Sequence, residues 1–118
     1  MDERQALAAF AALSQETRLR IVRLLVTAGP DGMAAGAIAE AAGVAASNVS
    51  FHLKELSQAG LATPRRAARS IVYTADYTAL SGLIAFLMRD CCQGRAEVCE
   101  PVIIALHACD CPAGLEPA

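Results

Sequence analysis

All five cysteines of this 118-residue chain, Cys91, Cys92, Cys99, Cys109 and Cys111, fall after residue 90. An odd number packed into one end does not fit the disulfide framework of a secreted domain. In a reducing compartment such clustering points to a thiolate site, able to ligate soft metals or undergo redox chemistry. A single buried cysteine acts as a small apolar residue, but five so close together are poorly explained in that way. The histidines are His52 and His107. No Ser/His/Asp set and no glycine-rich phosphate loop accompanies them, so the residues do not assemble an enzyme.

A second group of reactive side chains lies mid-chain. From Ser47 to Ala75 the basic residues Lys54, Arg65, Arg66 and Arg69 stand against Glu55 alone, a net +3, although the whole chain carries −2. From Asp90 onward Arg95 stands against five acids, a net −4. The distribution matters more than the sum: a basic middle suits phosphate contact, and an acidic tail does not.

The elements that must position these groups follow from periodicity. Residues 3–13 place Leu7, Phe10, Ala11 and Ser14 on one side at helical spacing, suited to a partner helix. Ser14 is expected to cap a second helix, with Glu16 in its first turn. That helix runs through TRLRIVRLLVTAG, is apolar around much of its circumference and stops at Gly29-Pro30. Residues 34–42 form a short Ala-rich helix ended by Gly43, which tolerates positive φ. In the next helix Val49, Leu53 and Leu56 recur at i, i+4 and i+7, with Gly60 as the stop. Ser47, Asn48, Ser50, His52 and Lys54 turn away from that apolar face and can meet base edges and phosphates. An ordinary polar helix surface would look the same. The following segment favours contact with a duplex: a strand near 61–63, a basic turn PRRAAR and a strand over 70–74 make a hairpin whose tip carries Arg65, Arg66 and Arg69. Pro64 suits a strand end. Over 76–90, Tyr77, Leu80, Leu83, Ile84, Leu87 and Met88 form a helical stripe for the core or a partner. Pro101 is expected to interrupt the chain before a short helix VIIALHA.

Composition supports one compact domain. Apolar residues make up 55%, aromatics 4%, and alanine alone contributes 26 positions. Such a chain favours closely packed helices over a β-sandwich. No apolar run reaches the ~18 residues that span a bilayer, and the N-terminus MDERQ carries no export signal. We therefore expect a cytoplasmic, mainly α protein with a small β-hairpin: a winged helix-turn-helix, homodimeric, with residues 1–90 as the DNA-binding and dimerisation domain and 91–118 as a cysteine-rich segment.

The stretches ALSQETRLRIVRLL, AIAEAAGVAASNVSFHLKELSQAGLA and RRAARSIVYT together resemble the ArsR/SmtB family of winged-helix metalloregulators over roughly residues 5–90. The resemblance implies a homodimer that binds an imperfect palindrome in operator DNA near its own promoter and lets go when a toxic metal or metalloid binds. Two of the family's sensing sites are missing here. AIAEAAG lacks the Cys-x-Cys found on the first helix of the helix-turn-helix, and DYTALSGLIAFLMRD lacks the histidines of zinc sensors. Cys91, Cys92 and Cys99 instead look like the subgroup of arsenic repressors that gather three thiolates beyond the last long helix. As(III) is then the expected effector, with Sb(III) as a second candidate and no organic cofactor.

The chemistry is coherent. Trivalent arsenic is soft and takes three sulfurs in a pyramid, in contrast to the four ligands of structural zinc. Adjacent residues on a helix diverge by ~100°, so Cys91 and Cys92 can share one atom only where the backbone leaves the helix, a break that Gly94 allows. Cys109 and Cys111 are additional candidate ligands, and three readings stay open: an assisting thiol pair, a zinc or cadmium site with His107, or no role in sensing. Two alternatives compete with the arsenic reading, a thiol-redox or Cd/Zn-sensing repressor of the same fold and a thiol metal buffer that binds no DNA.

Overall fold

The computed structural model describes residues 1–89 and 96–107. Cys91, Cys92, Cys109 and Cys111 lie outside them. Two compact units divide the chain, Met1–Phe86 and Leu87–Ala118.

In chain order the first unit holds α1 (Glu3–Leu13), α2 (Glu16–Ala28), a 3-10 turn (Gly29–Asp31), β1 (Met33–Ala34), α3 (Ala35–Ala42), α4 (Ala46–Gln58), β2 (Ala62–Ala67), β3 (Ser70–Ala75) and all but the last two residues of α5 (Tyr77–Met88). α6 (Ala96–His107) belongs to the second unit. The architecture is mainly helical with a three-stranded antiparallel sheet ordered β1-β3-β2. The two-residue β1 pairs Met33 with Tyr73 and Ala34 with Val72. It adds a strand to the expected hairpin.

Fully buried Ile21, Leu25, Ile38, Val49, Leu53, Leu56 and Leu61 form the centre of the core. Each of these side chains contributes about 1.5–3 kcal/mol on leaving water, and together they fix α2, α3 and α4 against one another. Gly43 ends α3 in the left-handed region at φ 70°. The chain can therefore turn sharply into α4 without the Cβ clash that another residue would meet.

Ala6, Ala9 and Ala12 form the inward face of α1, and the stripe expected for a partner stays open, with Leu7 62% exposed and Phe10 half-buried; several other local expectations are corrected. Small residues let α1 approach α2 closely and turn its larger apolar side chains outward. Ser14 closes α1, its hydroxyl donating to the Ala11 carbonyl; Gln15 caps α2, its Oε1 accepting from the Arg18 amide at 2.8 Å. Asp2 and Gln5 form a reciprocal capping box on α1. α2 is less buried than its composition implies, since Leu19 and Val26 are exposed. Pro64 and Arg65–Arg66 lie within β2 rather than in a turn: Pro64 pairs with Tyr73, Arg65 with Val72 and Arg66 with Ile71. β2 is an edge strand, where a residue lacking N–H leaves no ladder bond unmade on the open side. The loop is reduced to Ala68 and Arg69. Pro101 lies inside α6, not at a break. It cannot donate to the Glu97 carbonyl, but Glu97 is exposed and water can take that place.

Candidate nucleic-acid interface

α4 presents two faces. Val49, Leu53 and Leu56 anchor it in the core, and Ser47, Asn48, Ser50, Phe51 and Lys54 are exposed on the other side. No side chain caps its N-terminus at Ala45. The first-turn amides thus stay available to an anion, alongside the two hydroxyls and one amide of Ser47, Ser50 and Asn48.

His52 sits differently from the other expected contact residues. It is half-buried, with Nδ1 3.2 Å from Arg18 Nη1 of α2 and its ring edge-on to Phe51 at 5.4 Å between centroids. Burial lowers its pKa below the ordinary 6.5; Arg18 lowers it further, and Glu55 on the next turn raises it in part. The surroundings thus favour the uncharged ring. Phe51, 56% exposed, was not singled out by periodicity. An aromatic ring at an outward helical position among serines, asparagine and lysine is the signal that marks it.

The hairpin supplies the charge. Arg65 and Arg66 are exposed at consecutive positions of β2, hence on opposite faces of the strand, and Arg69 is exposed in the loop. Arg65 Nη2 donates to the Asp31 carbonyl at 3.2 Å. The expected contact residues thus gather on two adjoining elements, α4 and the β2–β3 hairpin, joined by Ala59–Leu61. Among the described residues no group of three or more His, Cys, Asp or Glu is arranged to hold a metal ion, and no helix is long and apolar enough to cross a membrane.

A helix-turn-helix domain family matches residues 13–65. The HTH-type transcriptional regulator YgaV of Escherichia coli (strain K12) is 34% identical over 88 residues, which is 75% of this chain and 87% of that protein. The solved ArsR-like transcriptional regulator from Rhodococcus sp. RHA1 superposes with a TM-score of 0.65 at 27% identity, covering 91% of this chain and 95% of that one.

The chain belongs to the HTH-type transcriptional regulators and has an ArsR-like winged helix-turn-helix fold.

Further comparisons agree with that membership. An uncharacterized HTH-type transcriptional regulator, YceK of Bacillus subtilis (strain 168), is 36% identical over 61 residues, 52% of this chain; the match spans 60% of YceK's length. A homodimeric winged helix-turn-helix DNA-binding domain from Mycobacterium bovis aligns with a TM-score of 0.59 at 27% identity, covering 76% of this chain and 89% of that one. A possible transcriptional regulator for arsenical resistance aligns at 0.58 and 28% identity over 85% of this chain and 95% of that one. These relatives are transcriptional regulators, not enzymes. In this regulator α3, Gly43 and α4 form the helix-turn-helix, and β2–β3 is the wing.

Proposed function

We propose that this chain is a transcriptional repressor that binds operator DNA as a homodimer and releases it on binding trivalent arsenic through Cys91, Cys92 and Cys99. The observation that carries the DNA half is the exposed Ser47, Asn48, Ser50 and Lys54 face of α4, flanked by a hairpin bearing Arg65, Arg66 and Arg69. Such a helix fits the major groove while the hairpin reaches phosphates or the adjacent minor groove. Apolar Leu7 of α1 and Ile84 of α5, both left exposed, suit the homodimer, the state of the Mycobacterium bovis domain.

The arsenic half rests on the donor set. Three thiols in nine positions offer sulfur ligands only, beginning three residues after the end of α5 at Met88, and a neighbour is described as a possible regulator for arsenical resistance. Rearrangement at the end of α5 on ligation would alter the spacing of two recognition helices. Half-sites one helical turn apart tolerate little such change, and a coupling of ~1–3 kcal/mol lowers affinity about five- to 150-fold. The deciding experiment is fluorescence anisotropy of a labelled promoter duplex titrated with As(III), Sb(III), Cd(II), Zn(II) and peroxide. As(III) should release the wild-type chain, and Cys91→Ser, Cys92→Ser or Cys99→Ser should each keep DNA binding while abolishing release. Release persisting in all three variants moves the site to Cys109 and Cys111 or elsewhere in the chain. Release by peroxide or cadmium alone replaces arsenic with that stimulus.

A further inference from the structure

We infer that Arg18 is a positioning residue for His52, holding its imidazole in the Nε2–H tautomer so that α4 offers the duplex one directed hydrogen-bond donor. The inference rests on the DNA-binding reading and adds to it a residue from outside α4 and the hairpin. Arg18 Nη1 lies 3.2 Å from His52 Nδ1. A guanidinium carries five N–H donors, no acceptor, and does not lose its proton in proteins. The contact is therefore a hydrogen bond only when Nδ1 is bare, which leaves the ring proton on Nε2.

Arg18 is held in place for this task. Its Nε donates to the Ala12 carbonyl at 2.7 Å, and its backbone amide is taken by Gln15 Oε1. The guanidinium thus bridges the last turn of α1 to the middle of α4. The charged groups facing His52 are Arg18 from α2 and Glu55 from its own helix; α1 brings Ala8, Ala11 and Ala12 beside Arg18 and Glu55 and adds no charge. Burial and Arg18 together oppose the imidazolium, the same direction as the geometry. A neutral ring with its single N–H on Nε2 recognises an acceptor at a defined place, such as purine N7, guanine O6 or a phosphate oxygen. A freely charging ring would bind any nearby phosphate.

The test has two arms. In the free, isotope-labelled full chain, nitrogen NMR of His52 should show an unprotonated Nδ1 and a protonated Nε2 at neutral pH. A proton on Nδ1 overturns the inference without any variant being made. The second arm uses a duplex pool enriched from random sequence by the wild-type chain. Arg18→Gln should weaken binding to that pool about tenfold and make it tighten as pH falls from about 8 to 6, through the ordinary imidazole pKa. His52→Gln, whose amide N–H can stand in for Nε2–H, should stay within about threefold of wild type and be unaffected by adding Arg18→Gln. An equal loss from Arg18→Gln in both backgrounds shows that Arg18 acts without His52, which overturns the inference. A wild-type chain that enriches no duplex overturns the DNA-binding reading itself.

Discussion

Arg65 Nη2 and the backbone carbonyl of Asp31 lie 3.2 Å apart, so one arginine of the wing is tied to the turn that follows α2. Arg66 and Arg69 make no hydrogen bond or ion pair with the described residues. They are the two free to meet phosphates. Arg66→Ala or Arg69→Ala should each reduce the slope of log affinity against log salt by about 1 and weaken binding to all sequences alike. Arg65→Ala should change the slope less and lower the melting temperature instead. Anisotropy titrations over a salt series, with a thermal melt of each variant, make the distinction. Equal slope changes for all three would mean that the Asp31 contact gives way on DNA.

Gly32 has φ +72°, and a Cβ built there would run into the Tyr73 carbonyl and the side chains of Val72 and Thr74. The backbone oxygen cannot move without disturbing β3, to which β1 is paired. Gly32→Ala should therefore destabilise the chain by about 2–4 kcal/mol, combining left-handed strain with displaced backbone. Gly36, inside α3, meets nothing within 4 Å. Gly36→Ala should raise stability by up to about 1 kcal/mol. Urea unfolding of the pair checks both signs, and similar behaviour of the two variants would contradict the crowding at Gly32.

The helix-turn-helix was legible because its signals are local: Val49, Leu53 and Leu56 at helical spacing, with Gly43 and Gly60 where positive φ is needed, at 70° and 81°. The inward face of α1 was not, since Ala6, Ala9 and Ala12 carry little hydropathy beside Leu7; helix packing distance, a tertiary property, chose the small residues. Pro64 reads as a strand end until the strand order shows β2 at the sheet edge. The half-buried His52 meets Arg18, 34 positions away, and no periodicity links the two.

His52 makes stability depend on pH in a definite direction. Its folded pKa is lowered from 6.5, first by burial and then by Arg18, against a smaller opposing effect of Glu55. Below about 6.5 the unfolded chain takes up a proton that the folded chain resists, so the unfolded state binds more protons and stability rises with pH. The stabilisation is fully present above that value and is lost as pH falls toward the folded pKa. Urea midpoints of wild type should therefore drop further between pH 7.5 and pH 5.5 than those of His52→Gln. Parallel pH profiles would mean that the ring titrates alike in both states.

Leu7 is 62% and Ile84 45% exposed, while Met1 and Gln5 of the α1 end line one cleft with Ala79 and Gly82 of α5. Neither Leu7 nor Ile84 is needed to fill the core, so a charge at either should spare the fold and disrupt a partner contact. Leu7→Glu and Ile84→Glu should each weaken the dimer at least tenfold, about the effect of losing one buried leucine-sized contact. Ile71→Glu, on the hairpin and 43% exposed, should leave it intact. Sedimentation equilibrium with circular dichroism on the same samples decides the matter, and a dimer that survives both α1 and α5 substitutions requires another interface.

Phe51 leaves more than half its surface, 56%, in solvent on the face that also bears Ser47, Asn48, Ser50 and Lys54. An apolar ring there has one matching feature in the major groove, the C5-methyl of thymine. Burying one methyl is worth about 0.8 kcal/mol, or about fourfold in affinity. A selected duplex in which every dT is replaced by dU should therefore bind wild type about fourfold more weakly for each methyl that Phe51 covers. Phe51→Ser should bind the dT and dU duplexes alike, because it has no ring to cover the methyl. The salt slope should not change, since no charge is altered. Wild-type binding indifferent to dU would leave Phe51 pointing at the backbone or at solvent, and the specificity of α4 would then fall to its polar side chains alone.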